Sequence, residues 1–299
     1  MNSRDVKTIL AVTGGLLVAR AAIRRMREES LNGRVAVITG ASRGLGLELA
    51  RELALRGCRL VICSRHDADI RLAAEELSKV AEVVAVVCDV ARRDDVQRLI
   101  DTANEYFGRV DILINNAGVM EVGPSEAMTI ADYESLMNIM YWGTVYATLA
   151  VLPQMRARRS GHIINITSIG GKISVPHLLP YSGAKFATVG FSEGLHQEVA
   201  KDGIHVTTVV PWLMRTGGYR HARVKGDVDR EFAWFSAAST LPLITVSARR
   251  AAQKIVRGIR RRSREIIIGV PAKLSVRAAG VMPSKTMMLM SVFNRFLPS

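Results

Sequence analysis

Five apolar or β-branched residues, Val35 to Thr39, run without a break into "TGASRGLG", Thr39 to Gly46. No other stretch restricts the chain as much. Glycines at 40, 44 and 46 let the backbone turn sharply from a strand into a helix. They also leave it bare enough for a pyrophosphate to approach the amides at the helix N-terminus, where the dipole favours negative charge. A tight turn with no ligand would use the same glycines, so the surrounding pattern has to decide.

That pattern is strand and helix in alternation from Gly33 onward. Strand-like runs cover Val35–Thr39, Arg59–Cys63, Val83–Cys88, Ile112–Asn115, His162–Thr167, His205–Val210 and Glu265–Val270. Helical stretches lie between them, near 44–56, 67–79, 94–107, 125–157, 180–201 and 248–262. Gly57 and Gly108 fall where helix C-caps belong. Short β-branched strands separated by helices predict an α/β fold, with one parallel sheet covered on both faces. The expectation is a single doubly wound domain with a seven-stranded parallel sheet, spanning residues 31–270. Residues 212–247 read as a long irregular segment of the kind that forms a lid or substrate pocket.

Composition agrees with a packed core. Of 299 residues, 48% are hydrophobic and only nine are proline, which excludes a disordered chain. Cys58, Cys63 and Cys88 lie in or beside apolar runs and read as buried reduced thiols. No CxxC or Cys/His spacing exists, so no metal is predicted.

The net charge of +14 is unevenly placed. "RRAAQKIVRGIRRRSR", residues 249–264, has eight bases and no acid, and residues 271–299 have four bases and no acid. Local excess of this kind points to an anionic partner. A membrane surface fits better than nucleic acid, because apolar segments flank the charge and aromatics make up only 5%.

Residues 1–30 form an apolar and basic segment. Thr8 to Ala19 is uncharged between Lys7 and Arg20, shorter than the ~20 residues of a spanning helix. A signal peptide, a packed amphipathic helix and a membrane anchor all fit it. The cluster Arg24, Arg25 and Arg27 favours retention on the cytoplasmic side. Residues 271–299 form an apolar and basic tail whose methionines suit a pocket wall, a dimer contact or a membrane contact equally.

The second strand ends in Ser64-Arg65, with no acid at its tip and Asp67 two residues late. Together with Arg43 in the glycine loop, this favours NADP(H) over NAD(H). Later comes "YSGAK", in which Tyr181 and Lys185 are four apart and share a helix face. A lysine ammonium there would lower the phenol pKa and ready it for proton transfer. Ser168 ends a strand thirteen residues earlier.

"TGASRGLG", "CDV" (Cys88–Val90), "NNAG" (Asn115–Gly118), "NITS" with Ser168, and "YSGAK" occur in this order. In order and spacing, over about residues 33–270, the chain resembles the short-chain dehydrogenase/reductase family. The resemblance implies a Rossmann-type sheet, a nicotinamide cofactor, and Ser168, Tyr181 and Lys185 as the catalytic core. It also implies that Asp89 and Val90 border the adenine, and that Asn115, Ala117 and Gly118 line the cofactor cleft and steady the sheet. The cofactor contacts expected are Gly40, Ser42, Arg43, Gly44, Leu45, Gly46, Ser64, Arg65, Asp89, Val90, Asn116, Ala117, Gly118, Tyr181, Lys185, Pro211 and Thr216.

Two departures stand out. The family's usual asparagine in an "NxxG" pattern, which links the lysine to solvent, is Met140 here when aligned on Gly143. Asn138 lies two residues earlier, about 200° away on a regular helix, and would need an irregular turn near 138–143 to replace it. After the sixth strand, Trp212 stands in place of a glycine beside the nicotinamide. His162, His177 and His196 carry no assigned role.

The activity expected is an NADP(H)-dependent oxidoreductase interconverting a carbonyl and a secondary alcohol. A hydrophobic, lipid-, steroid- or retinoid-like substrate is expected, with Tyr181 as general acid/base. The alternative is a cofactor-binding sensor or scaffold with little turnover. Family resemblance implies a homo-dimer or homo-tetramer. The expected place is cytoplasmic, with residues 1–30 against the cytoplasmic face of a membrane.

Overall fold

The computed structural model describes residues 28–241 and 245–298. Seven parallel strands form one sheet: β1 Val35–Thr39, β2 Arg59–Ser64, β3 Val83–Val87, β4 Ile112–Asn115, β5 Gly161–Ile166, β6 Ile204–Pro211 and β7 Glu265–Ile268. Their spatial order is β7-β6-β5-β4-β1-β2-β3. Order reverses beside β1, so a crevice opens at the strand C-termini there. The expected doubly wound α/β fold is what the chain adopts.

The alternation of side chains along each strand explains the two layers. Ala36, Ile38, Leu60, Ile62, Ile112 and Ile114 face one way, toward α1 (Gly44–Ala54), α2 (Asp67–Leu77) and α8 (Ala248–Arg260). Val37, Val61, Cys63 and Leu113 face the other way. They meet α3 (Arg93–Phe107), α4 (Ile130–Leu136), α5 (Gly143–Ala157) and α6 (Leu179–Val199). Strands apolar on both faces hold only inside such a sandwich. Gly108 closes α3 in the left-handed region at φ 75°, as its position predicts. The three cysteines are buried and unbridged.

Residues 212–247 differ from expectation: much of the segment is ordered. Met214–Arg215 pairs with Val246–Ser247, Arg223–Val224 pairs with Glu121–Val122, and α7 spans Val228–Thr240. Asp227 caps α7 by accepting the Arg230 amide at 3.1 Å. The tail is also helical, as α9 (Val270–Val281) and α10 (Pro283–Asn294). The expected N-terminal helix and anchor cover residues 1–30, of which 1–27 lie outside the described residues.

His162 is buried in β5. Thr207 gives its hydroxyl proton to the Ser263 carbonyl at 2.5 Å, so His162 Nε2, 2.9 Å from Thr207 Oγ1, must be the donor between those two. Burial holds the imidazole pKa down, at about 3 against an ordinary 6.5. The folded protein therefore keeps His162 neutral where the unfolded chain would take up a proton. Its contribution is complete above pH ~6.5 and is lost as pH falls toward 3. Urea titrations at pH 7 and pH 5 should show the natural protein losing about 2 kcal/mol more than a His162→Gln variant.

Candidate functional site

The loops after β1 and β4 are tied to each other across the crevice. Thr39 Oγ1 accepts the amides of Asn116 and Ala117 at 3.0 and 3.1 Å. Asn116 Nδ2 donates to the carbonyls of Thr39 and Gly40, both at 3.0 Å. A methyl on Gly46 would come within 2.2 Å of the Gly40 oxygen and 2.6 Å of Asn116 Nδ2. Gly44 has a φ of +58°, which an L side chain seldom adopts.

The resulting cleft has a volume of about 310 Å³. Gly40, Ser42, Arg43, Gly44, Leu45 and Gly46 line it at one end, with Ser64 and Arg65 beside them. Asp89, Val90, Asn116, Ala117 and Gly118 also line it, Thr216 lies against Gly44, and Tyr181 and Lys185 complete the lining. Helix α1 starts at Arg43 with no side-chain cap and no acid in its first turn. Its leading amides are thus available to an anion, which is what a dinucleotide phosphate requires. The residues present fit such a cofactor.

Three expectations need correction. Asn115 does not line the cleft: it lies in the sheet, donating to Asn165 Oδ1 at 2.9 Å and Thr148 Oγ1 at 3.3 Å. Pro211 is also absent from the walls, because it pairs with Ile268 within the sheet. Trp212 packs near Gly269 and does not line the cleft, since its backbone follows β7, the Trp212 amide donating a hydrogen bond to the Ile268 carbonyl at 2.9 Å.

Ser168, Tyr181 and Lys185 come together. Ser168 stands near enough to Tyr181 to pull its phenol pKa down, and Ser168 Oγ accepts the Gly170 amide at 3.0 Å. Lys185 Nζ donates to the Ile166 carbonyl at 2.9 Å and lies 5.8 Å from the Tyr181 ring centre. The expected lowering of the phenol pKa does not occur. Burial pushes Tyr181 up to about 12, with Ser168 pulling the other way, and burial pushes Lys185 down to about 8. The ammonium sits over the ring and spends a hydrogen bond on a carbonyl, so desolvation wins.

Met137–Trp142 forms a π-helical turn, the irregularity that Asn138 would need. It does not bring Asn138 inward. Asn138 is exposed, while Met140 is 1% exposed and lines the cleft. The Met140 carbonyl accepts Thr144 Oγ1 at 2.8 Å and Thr188 Oγ1 at 3.3 Å, which anchors that turn.

Sequence reasoning missed the residues that fasten α7 beside Tyr181. His177, at φ +62°, pairs through Nδ1 with Glu231 Oε1 at 2.6 Å, and Trp234 Nε1 donates to Glu231 Oε2 at 2.6 Å. Nearby, buried Glu121 lies 3.8 Å from both Arg223 and Lys225, and Lys225 also pairs with Asp132. A lone histidine or glutamate has no periodic context, so no local signal marks these pairs.

Comparison with known proteins places this arrangement. The family model for short chain dehydrogenases matches residues 34–225. SadH of Mycobacterium tuberculosis, a protein named as an oxidoreductase, is 35% identical over 274 residues, covering 90% of this chain and 98% of its own. A short-chain dehydrogenase/reductase from Burkholderia phymatum, solved with NAD, has a TM-score of 0.79 at 25% identity, covering 85% of this chain and 95% of that one. L-sorbose reductase of Gluconobacter frateurii, solved with NADPH and L-sorbose, has a TM-score of 0.71 at 27% identity, covering 80% and 95%. The chain belongs to the short-chain dehydrogenase/reductase family. It is an oxidoreductase of a family that binds a nicotinamide cofactor and acts on small molecules.

Gly46→Ala tests the cleft. Its methyl collides with backbone from two loops, so calorimetric titration should show NADPH and NADH binding weakened at least ~10-fold, from the loss of one or more charge-assisted contacts. The far-UV circular dichroism should be unchanged.

Proposed function

We propose that the protein is an NADP(H)-dependent oxidoreductase that interconverts a carbonyl and a secondary alcohol on a hydrophobic substrate. The observation that carries this is the joined trio of Ser168, Tyr181 and Lys185 at the end of a cleft whose other end presents Arg43 and Arg65. Asp67 supports the same cofactor choice: it pairs with Arg71 at 2.8 Å on its own helix and does not line the cleft. Arg43 reaches Asp69 at 3.2 Å in an exposed, weakly held pair that a phosphate can replace.

The nicotinamide cofactor supplies or accepts the hydride. Tyr181 holds its proton at neutral pH and can give it to a carbonyl oxygen. Ser168 Oγ, beside that phenol, orients the same oxygen, and Lys185 supplies positive charge near the ring. Apolar surroundings of Tyr181 support the substrate class: Val122, Leu178 and Phe235 are buried beside it, with Met120, Val175 and Trp234 packed against them. Apolar surroundings suit an apolar lipid-, steroid- or retinoid-like body. A cytoplasmic place at a membrane and a homo-dimer or homo-tetramer belong to the same reading.

Met140 favours a second reading, a cofactor-binding sensor with little turnover. A thioether facing the lysine donates no hydrogen bond and holds water poorly. Turnover that rises strongly in Met140→Asn would support it.

The leading reading predicts NADPH consumption with apolar ketones, lowered at least ~100-fold in Tyr181→Phe with NADPH affinity unchanged. Preference for small polar ketones would remove the substrate class. Arg65→Ala should weaken NADPH about 10-fold and leave NADH unaffected. Reduction needs the Lys185 ammonium, so kcat/KM should be level below pH 8 and fall as pH rises through about 8.

A further inference from the structure

Helices α9 and α10 lie at the end of the chain and bury almost nothing. Ala272 is the one buried residue of α9, and α10 has none. On α9, Val270, Leu274, Arg277 and Val281 recur at helical spacing and are all exposed. On α10, Lys285, Met288, Leu289 and Val292 do the same, and Phe296 beyond its end is 81% exposed. This strip is the back of α10. Its front, with Pro283, Thr286, Met287 and Met290, lines an apolar groove of about 920 Å³ against Ile173, Val175 and Phe186. Helix α10 is therefore apolar on both faces, and among the described residues only its front has protein opposite it.

Charge selects what covers the back. Residues 271–299 contain Lys273, Arg277, Lys285 and Arg295 and no acid. Lys254 of α8 adds to them: burial and its neighbour Lys273 both push its pKa down. A second copy on this surface would set like charges against each other across a low-dielectric contact. An anionic surface would neutralise them, and apolar side chains interleaved with bases are the composition of a helix lying in a lipid interface.

We propose that α9 and α10 form a docking surface for an anionic lipid bilayer. Val270, Leu274, Val281, Met288, Leu289, Val292 and Phe296 enter the acyl boundary, and Lys273, Arg277 and Lys285 meet the headgroups. This inference does not depend on the reaction or cofactor, nor on residues 1–27.

The test is hydrogen exchange on the full chain, free and with vesicles of phosphatidylcholine alone or with one-third phosphatidylglycerol. Amides of 270–294 should exchange at least ~10-fold more slowly on the anionic vesicles, and lose that protection in 0.5 M salt. Leu289→Glu with Val292→Glu should abolish the slowing and leave exchange in the free protein unchanged, because both side chains are exposed. Arg277→Glu with Lys285→Glu should lower vesicle partition about 25-fold or more, from about fivefold per basic group. The proposal is overturned if the chain binds anionic vesicles with exchange of 270–294 unaltered, or does not bind them. It is equally overturned if the slowing appears without lipid and follows a doubling of mass with protein concentration.

Discussion

The hydrogen bonds between Thr39 and Asn116 are what the cleft depends on. A parallel sheet brings the ends of β1 and β4 side by side, but two adjacent loops would ordinarily satisfy their polar groups with whatever lies nearest. Here one side-chain amide takes the carbonyls of Thr39 and Gly40, and one hydroxyl takes the amides of Asn116 and Ala117. With those groups matched, the amides that start α1 are not drawn into the loop and stay directed at the crevice. Each such bond contributes about 1 kcal/mol, yet leaving one of these partly buried groups unpaired would cost about as much again or more. The loop is held in one conformation by that asymmetry.

A second set of bonds places the helix that carries Tyr181 and Lys185. Asn115 on β4 reaches Asn165 on β5, whose amide donates to Ser192 of α6, and Ser192 meets Thr208 of β6 at 2.7 Å. Three strands and one helix are registered by this buried row. The bond from Lys185 to the Ile166 carbonyl ends the same registration at the strand tip, two residues before Ser168. Tyr181 is thereby set against Gly170, where a methyl would fall 3.1 Å from its ring. The position that brings phenol, hydroxyl and lysine together also removes them from water, which is why the phenol gains basicity and the lysine loses it. Proximity and pKa are two results of one burial.

The sheet could be read from sequence because its signals are local. Val35–Thr39 and Ile112–Asn115 are apolar on both faces with glycines or turns after them, and the observed bounds match. Ser168, Tyr181 and Lys185 were legible because their spacing follows from one strand and one helix. What could not be read depends on packing between distant segments. Asn115 and Asn116 are neighbours of identical chemistry, and only the alternation of sides at the end of β4 sends one into the sheet and the other to the cleft. Met137–Trp142 offered an irregular turn, but its rotation carried Met140 inward and left Asn138 in solvent. Trp212 looked like a cleft residue until β7 was placed beside β6, where the Ile268 carbonyl draws that backbone aside. His177 and Glu231 are 54 positions apart, and no pattern within either segment announces their contact.

The basic stretch 249–264 shows how charge reads differently once neighbours are known. Ile255, Val256 and Ile259 are buried against the sheet, so one face of α8 is core. Glu28 lies 2.7 Å from Arg260 and 2.8 Å from Arg261, and Glu29 lies 3.1 Å from Arg262. Those arginines hold the start of the described chain onto the domain, and their excess charge in sequence is partly matched in space. Lys273, Arg277 and Lys285 have no acid within their own segment. Runs of lysine and arginine therefore carry different meanings in the two stretches: the first is partly an internal fastening, and the second is a surface whose complement must come from outside the chain.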